Sequence, residues 1–158
     1  MTAASPLQEP RLERVADCTI EVGRPIDIGL TPAGRRRLIP ITAGRVNGPQ
    51  LFAKVLPGGA DFQLITTPTQ AFIEARYILE TDDGEQIYLE NRGMRVAPAE
   101  IVEKINQGIP VDPGQVYFRT TPRFETAAPR WTWLMESLFV GTGARFPDRV
   151  ELSFFRVR

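Results

Sequence analysis

Short segments rich in Val, Ile, Phe, Tyr and Thr recur along the chain at intervals of about ten to twelve residues. Clusters of Pro, Gly and Asp separate them, as turn residues do. Short strands at this spacing predict an all-β, mainly antiparallel protein that folds either as a barrel or as a sandwich. The predicted strands cover residues 14–22, 36–45, 50–56, 60–66, 72–81, 86–95, 115–121, 131–140 and 149–157.

The predicted hairpin around Asp82-Asp83-Gly84 can be given a register, because a slip of one residue moves every side chain to the opposite face of the sheet. A two-residue loop would place Tyr77 opposite Glu90 and mix apolar with charged side chains. A three-residue loop separates them, with Thr81 facing Glu85. One face then carries Ala75, Tyr77, Leu79, Ile87, Leu89 and Asn91, and the other pairs Arg76 with Glu90 and Glu74 with Arg92.

One segment, near residues 98–107, has a helical pattern. Pro98 suits the first turn of a helix, Glu100 lies near the positive end of the helix dipole, and Gly108 suits the C-terminal end. A single short helix in a β protein commonly covers one end of a barrel, and we expect that placement here. The apolar stripe of the helix consists of Ile101, Val102 and Ile105.

The length of 158 residues and the globular composition predict one domain with one hydrophobic core. We expect residues 1–11 to form a flexible N-terminal tail and residues 12–158 to form the domain. The first ten residues, MTAASPLQEP, contain neither the basic segment nor the apolar segment of a secretory signal. We therefore expect a cytoplasmic protein.

Charge is balanced in this chain, with 19 Lys and Arg residues against 19 Asp and Glu residues. A chain without net charge has no long-range field that attracts nucleic acid or anionic lipid. Its apolar runs are also too short to cross a bilayer. We expect neither a nucleic-acid partner nor a membrane partner. A homodimer is compatible with a small β-barrel, although no residue specifies one.

The residue types that are missing narrow the chemistry. The chain has no histidine, which excludes Ser-His-Asp and Cys-His arrangements and His-ligated metals. Cys18 is the only cysteine, which excludes a disulfide within the chain. Gly141-Thr142-Gly143 lacks the Lys and Ser or Thr of a phosphate loop, and we interpret it as a turn. We expect no metal and no cofactor, so that proton transfer would use Asp, Glu, Tyr, Lys or water.

The segment from Tyr117 to Leu134, YFRTTPRFETAAPRWTWL, places two charged residues among aromatic residues and prolines. We expect Arg119 and Glu125 to lie across a bend from each other. They are either a buried ion pair that holds the bend, or a functional pair in which Glu125 is a general base and Arg119 holds an anion. We expect Tyr117, Phe124 and Trp133 to wall the pocket, and Trp131, Trp133 and Met135 to share one strand face.

Two further groups of polar residues each allow two interpretations. Asp61 and Gln63 share one face of the predicted strand at 60–66, opposite an apolar face. They line a lumen if the apolar face packs outward, and they are solvated or cap the preceding turn if that face forms the core. Arg76 is either a clamp for a substrate carboxylate or part of a solvated charged face that it shares with Glu80, Glu90 and Arg92.

Four segments carry a resemblance to a known family: GPQLFAKVLPGGADFQ (48–63), EARYILETDDGEQIY (74–88), VYFRTTPRFETAAPRWTWL (116–134) and LFVGTGARFPDRVELSFFRV (138–157). Together they resemble the uncharacterised bacterial and fungal family called domain of unknown function 3237, or uncharacterised protein family 0311. Its patterns GGADxQ, DARYxLET and YFRTxPxFET, followed by a Trp-Leu pair, are matched by Asp61 and Gln63, by Arg76 and Tyr77, by Arg119 and Glu125, and by Trp133-Leu134.

The resemblance implies a small closed β-barrel, of the calycin or allene-oxide-cyclase-like type, and it implies no established reaction. It also favours an inward orientation of the motif residues, because charges on the surface rarely persist as motif residues. The residues concerned are Asp61, Arg76, Arg119 and Glu125.

Three hypotheses on function follow. In the first, the protein is a cofactor-independent isomerase, cyclase or lyase that acts on a small apolar or aromatic carboxylate or carbonyl compound, with Glu125 or Asp61 moving a proton. In the second, the barrel binds such a compound without catalysis. In the third, it is a structural protein with a filled barrel. The binding residues expected for the first two are Arg119, Arg76, Gln63, Tyr117, Phe124 and Trp133.

Overall fold

The computed structural model describes residues 6–158 and contains ten strands and one α-helix in that range. The strands are β1 (Leu12–Val22), β2 (Ile26–Thr31), β3 (Gly34–Pro49), β4 (Phe52–Val55), β5 (Gly59–Thr67), β6 (Gln70–Glu80), β7 (Gln86–Val96), β8 (Tyr117–Thr126), β9 (Phe139–Arg145) and β10 (Arg149–Val157). The helix is α1 (Ala99–Asn106), and two 3-10 helices cover Pro113–Gln115 and Pro129–Leu134.

The sheet closes on itself as an eight-stranded barrel. Its order is β1-β10-β9-β8-β7-β6, then β4 and β5, then β3, which pairs again with β1. The strands β4 and β5 share one place, because each pairs with β3 on one side and with β6 on the other. All pairings within the described range are antiparallel. The predicted all-β, mainly antiparallel barrel is confirmed.

The predicted hairpin register is also confirmed. In the β6–β7 pair, Tyr77 lies opposite Leu89 and Arg76 lies opposite Glu90. The amide of Thr81 donates a hydrogen bond of 2.9 Å to the carbonyl of Glu85. Gly84 closes the loop with a φ of 78°, a conformation that glycine adopts without the steric cost of a side chain. The predicted apolar face of the hairpin is buried inside the barrel.

The strand predicted at 131–140 and the turn predicted at Gly141-Thr142-Gly143 are wrong. Residues Pro129–Leu134 form a 3-10 helix, and the glycine segment lies inside β9. A Cβ atom at Gly141 would lie 2.2 Å from the hydroxyl oxygen of Thr120 on the neighbouring strand. These glycines therefore allow close packing within a strand, which is the other common role of glycine in a sheet.

The 3-10 helix Pro129–Leu134 covers the end of the barrel at which the β6–β7 loop lies. It buries Trp131 and Leu134, which are three residues apart and therefore on one side of a 3-10 helix. Met135 is exposed, so the expected strand face of Trp131, Trp133 and Met135 does not exist. The indole N–H of Trp131 donates a hydrogen bond of 3.0 Å to Glu85, and the guanidinium of Arg130 contacts the same carboxylate at 3.1 Å.

The barrel is packed solid above this end. The rings of Phe124 and Phe139 meet edge to face with centroids 5.0 Å apart, and the ring of Phe154 lies 6.0 Å from that of Phe124. Leu79, Leu89 and other aliphatic side chains fill the space around them. Because burial of such side chains is the main source of stability, this half of the barrel holds the fold together.

The predicted helix is confirmed as α1, with Pro98 directly before its first residue and Gly108 in a left-handed conformation after its last turn. Ile101 is its only buried residue. No helix within residues 6–158 has the length and apolar character needed to cross a bilayer.

Two regions lie outside the predicted strands. The strand β2 was not predicted, because Pro25, Gly29 and Pro32 interrupt its pattern, and its apolar side chains Ile26 and Leu30 remain exposed. Residues 1–5 of the predicted tail lie outside the described residues. Residues 6–11 are exposed and belong to no strand or helix, and the backbone of Arg11 pairs with that of Arg158.

The inside and outside of the β6–β7 hairpin can be tested with a matched pair of variants. Leu79 is fully buried, whereas its neighbour Ile78 points outward and is 41% exposed. We expect Leu79→Ala to lower the free energy of unfolding by about 2–5 kcal/mol, because it leaves a cavity in the core. Ile78→Ala should lower it by less than about 1 kcal/mol. Urea denaturation measures both values, and equal losses would contradict the register.

Candidate functional site

The barrel interior contains a cavity of about 50 Å³ above the aromatic core. We call this space the lumen cavity. Its apolar wall includes Ile20, Ile41, Ile73, Phe118 and Leu152. Seven polar side chains also line it: Asp61, Gln63, Tyr77, Asn91, Arg95, Thr120 and Arg145. A polar lining this dense is unusual for a small cavity, because buried polar groups are costly unless they are paired.

A wider space of about 260 Å³ lies at the mouth of the barrel, and we call it the vestibule. The end of α1 forms part of its wall through Ile105 and Asn106. The vestibule and the lumen cavity share the lining residues Ile39, Gln63, Arg95 and Arg145. The two spaces are therefore adjacent, and a molecule entering the lumen from this end passes the arginines. The helix lies at one end of the barrel, as expected for a single short helix in a β protein.

Asp61 is the carboxylate of the lumen cavity. It lies on β5 between Ile39 of β3 and Ala75 of β6, and its carboxylate accepts a hydrogen bond of 3.0 Å from the amide of Glu74. Burial raises the pKa of Asp61 to about 6, although this hydrogen bond and the nearby guanidinium of Arg95 act to lower the pKa. Asp61 therefore changes its charge close to neutral pH.

Three arginines surround this single carboxylate. Arg95 is 6% exposed, Arg145 is also enclosed, and Arg37 stands at the vestibule. Burial, followed by repulsion from Arg145, lowers the pKa of Arg95 to about 10, and Asp61 opposes that change. Burial and the charge of Arg37 lower the pKa of Arg145 as well. Asp27 and Asp148 also act on Arg37 and Arg145, but both are exposed and form salt bridges with Arg35 and Arg149. Inside the barrel, the three arginines therefore exceed their one carboxylate by two charges when Asp61 is ionised.

These arginines lack the partners that buried cations normally have. Within residues 6–158, the side chains of Arg37, Arg95 and Arg145 form no salt bridge and no hydrogen bond. By contrast, Arg76 and Arg92 on the outer surface both contact Glu74. A buried charge is normally paired or bound to a ligand, so the cluster has the features of an anion site.

Several buried polar atoms of the lumen cavity also have no hydrogen-bond partner in the described structure. They are the side-chain oxygens of Gln63, Tyr77, Asn91 and Thr120 and one guanidinium nitrogen of Arg145. Most buried polar atoms in native proteins are paired, and each exception requires an explanation. Five of the six such atoms within residues 6–158 lie on this one cavity, which indicates that a ligand or water forms the missing hydrogen bonds.

The structure separates the residues that the sequence singled out. Asp61 and Gln63 line the lumen cavity, whereas Phe62, which lies between them in the sequence, points outward. Phe124 belongs to the aromatic core below the cavity. Trp133 packs against the core under the guanidinium of Arg156, which lies 5.3 Å from the centroid of its ring. Neither aromatic residue lines the cavity.

The expected inward orientation is wrong for Arg76, Arg119 and Glu125. Strand β8 runs without a bend from Tyr117 to Thr126, so its alternate residues point outward together. Arg119 lies over the ring of Tyr117 on the outer surface, with the guanidinium carbon 5.2 Å from the ring centroid. Glu125 is exposed. Arg76 forms a surface salt bridge of 2.9 Å with Glu74. Arg119 and Glu125 form no ion pair within the described range.

The sequence contained a signal for one of the missed residues. Arg95 follows Leu89, Asn91 and Gly93 at steps of two along β7, so it belongs to the inward face of the hairpin whose register was predicted. Arg37 and Arg145 carry no such signal. Arg37 lies in a run of three arginines, and Arg145 lies at the end of a strand that was not predicted.

Similarity to known proteins covers nearly the whole chain. Residues 10–157 match the family model described as "Protein of unknown function (DUF3237)". A UPF0311 protein of Rhodopseudomonas palustris is 46% identical over 150 residues, which are 94% of this chain and 98% of that protein. A crystal structure of a protein of unknown function from the same organism has a TM-score of 0.92 and 43% identity, covering 96% of this chain and 100% of that one.

A second crystal structure has a similar fold. It is described as a beta-barrel like protein from Acinetobacter baumannii, with a TM-score of 0.85 and 35% identity over 99% of this chain and 100% of that one. The family match and the 46% identity agree with the resemblance found in the four sequence segments. The chain belongs to the family described as protein of unknown function DUF3237.

Proposed function

We propose that this barrel binds a small molecule with an anionic group, most simply a carboxylate, which the arginines at the top of the lumen cavity hold. The observation that carries the proposal is the excess of positive charge: Asp61 is the only carboxylate that lines the lumen cavity within residues 6–158, and Arg37, Arg95 and Arg145 surround it. None of the three has a salt-bridge partner within residues 6–158. An anion from outside the chain would supply that partner.

The energetics favour such a ligand. Removing a guanidinium from water without a partner costs several kcal/mol, because its hydration is lost. A carboxylate can accept two parallel hydrogen bonds from one guanidinium, and such charge-assisted bonds are stronger than neutral ones. Binding of an anion would therefore recover part of the cost that folding imposes at Arg95 and Arg145.

The volume of the cavity limits the part of the ligand that it can enclose. Its 50 Å³ have room for roughly three or four water molecules. An apolar cavity that holds benzene has a volume of about 150 Å³. The lumen cavity thus suits a short chain of non-hydrogen atoms, and a bulkier apolar or aromatic part would lie in the vestibule of 260 Å³. The open lumen disfavours the hypothesis of a filled structural barrel.

A second candidate function is cofactor-independent proton transfer by Asp61, as an isomerase, a cyclase or a lyase would need. A carboxyl group with a pKa of about 6 can accept and return protons near neutral pH. Arg95 lies close enough to affect that pKa, so it could stabilise negative charge that develops on a carbonyl substrate. Glu125 has no part in this proposal, because it lies outside the barrel.

Arg95 and Arg119 offer a direct test of the anion site. Arg95→Gln should weaken the binding of hexanoate at least about tenfold, because it removes charge-assisted hydrogen bonds. Arg119→Gln should leave the affinity unchanged, because Arg119 lies on the outer surface. Titrations followed by NMR on the ¹⁵N-labelled protein measure both affinities. A larger loss in Arg119→Gln would place the anion on the outer wall instead.

The pKa of Asp61 predicts a pH dependence of stability. Below pH 4 the carboxyl group is largely protonated in both states, and between pH 4 and 6 only the unfolded chain ionises, because the folded pKa is about 6. The contribution of Asp61 to the free energy of unfolding therefore falls as the pH rises from 4 to 6. Above pH 6 this contribution falls no further. Urea denaturation at pH 4 and pH 7 measures the effect.

Asp61→Asn removes the titration and serves as the reference for it. The difference in unfolding free energy between the variant and the wild type should therefore shift in favour of the variant, by on the order of 2 kcal/mol, as the pH rises from 4 to 7. All other titrating groups are common to both proteins and cancel in the difference. A difference that does not change with pH would mean that Asp61 titrates like an exposed carboxyl group.

Proton transfer can be tested apart from binding. We expect the wild type to speed the exchange of the C3 protons of 2-oxobutanoate in D₂O, because a base beside a guanidinium assists enolisation. The rate should rise with pH and level off above about pH 6, where Asp61 is ionised. Asp61→Asn should abolish the exchange and keep the binding. If the wild type binds this acid without exchange, the barrel is a binding protein for it and the catalytic candidate fails.

A further inference from the structure

We propose that the ligand is a hydroxy acid, whose carboxylate meets the arginines and whose hydroxyl group occupies the deep end of the lumen cavity. This inference rests on the proposed anion site and adds the chemistry of the opposite end of the ligand. It is carried by the buried polar side chains that line the lumen cavity but not the vestibule: Tyr77, Asn91 and Thr120.

The deep end and the arginine end are separated along the strands. Asn91 precedes Arg95 by four residues on the inward face of β7, which corresponds to roughly 13 Å along the strand. Between them lies Gly93, and the side chain of Thr120 on the neighbouring strand occupies the space that a side chain at Gly93 would take. The Arg95 side chain extends over part of that distance, so a ligand of a few carbon atoms can bridge the gap between the guanidinium and the amide.

The polar atoms at the deep end require a partner that both donates and accepts. The amide oxygen of Asn91 can only accept a hydrogen bond, and so can that of Gln63 nearer the mouth. Burial raises the pKa of Tyr77 well above its usual range, so its phenol stays protonated and can donate. The hydroxyl of Thr120 can do either. A hydroxyl group on the ligand matches this set, whichever way the Asn91 amide is turned.

Other ligand ends fit less well. A methyl end would displace water from these atoms without replacing its hydrogen bonds. A second carboxylate could accept from Tyr77 and Thr120 but would face the amide oxygens with negative charge. An ammonium group could donate to the amides, but it would add a positive charge to a lumen that already contains Arg95 and Arg145. A terminal hydroxyl group avoids all three of these conflicts.

The test compares pairs of acids that differ only in a terminal hydroxyl group. The probes are butanoate and 4-hydroxybutanoate, pentanoate and 5-hydroxypentanoate, and hexanoate and 6-hydroxyhexanoate, titrated by NMR at pH 7. We expect the hydroxy acid to bind at least about tenfold more tightly than its parent at one or more chain lengths, because it pairs buried polar atoms. The chain length of greatest preference reports the distance between the two ends.

Substitutions at the deep end test whether its polar side chains cause the preference for the hydroxy acid. Asn91→Leu should reduce the ratio of the two affinities to less than about threefold, because it removes a polar partner of the terminal hydroxyl group. Asn47→Leu is the matched control, because Asn47 is exposed on the outer wall, and it should keep the preference. Thr120→Val removes a second deep polar group and gives an independent result if Asn91→Leu does not fold.

The outcomes separate this inference from the proposed function. If the parent acids bind and no hydroxy acid is preferred, the anion site stands and the hydroxy-acid inference is wrong. A preference that persists in both Asn91→Leu and Thr120→Val would also overturn it. Tighter binding of 4-aminobutanoate than of 4-hydroxybutanoate would replace it with an amino-acid ligand. If none of these acids binds, the proposed function fails, and this inference fails with it.

Discussion

The pairing of β1 with both β10 and β3 is the constraint on which the rest of the molecule depends. It joins the two ends of the sheet, so that the strands enclose an interior and the main sheet has no free edge at this seam. Once the sheet is closed, the alternation of side chains assigns every residue of β5 to β9 either to the interior or to the outer surface. The location of each polar side chain then decides whether it belongs to a site or to the solvated wall.

The interior is divided into two parts with different roles. Around Phe124, Phe139 and Phe154 it is apolar and packed, and this part supplies the burial that stabilises the fold. Toward α1 it contains Asp61, the unpaired arginines and the unpartnered polar atoms. Such groups reduce stability, and proteins commonly carry that cost where function requires it. The division is consistent with a site supported by a rigid base.

The sequence predicted more of the fold than of the site. The register of the β6–β7 hairpin followed from the separation of apolar and charged residues, because only one loop length keeps them apart. The same argument fails for β8, where outward Arg119 and Glu125 alternate with inward Phe118 and Phe124. Because Arg119 and Glu125 belong to a family motif, the charged face of β8 was expected to point into the barrel. In the closed barrel this face points outward.

Two physical causes account for the other errors. Glycine in β9 allows the side chain of Thr120 to approach the neighbouring backbone, and the sequence does not distinguish that use from a turn. The arginine cluster is assembled from three strands far apart in the chain, so no local spacing reveals it. Asp61 is a candidate from the sequence because it shares a strand face with Gln63 and matches the pattern GGADxQ, but its partners Arg37 and Arg145 become visible only when the barrel closes.

The central claim is that the lumen of this barrel is an anion-binding site. A crystal structure of the protein soaked with 4-hydroxybutanoate tests it most directly. The account predicts density inside the barrel, with carboxylate oxygens within about 3 Å of guanidinium nitrogens of Arg95 or Arg145. A lumen that holds only water, with the acid bound beside Arg119 on the outer wall, would contradict it.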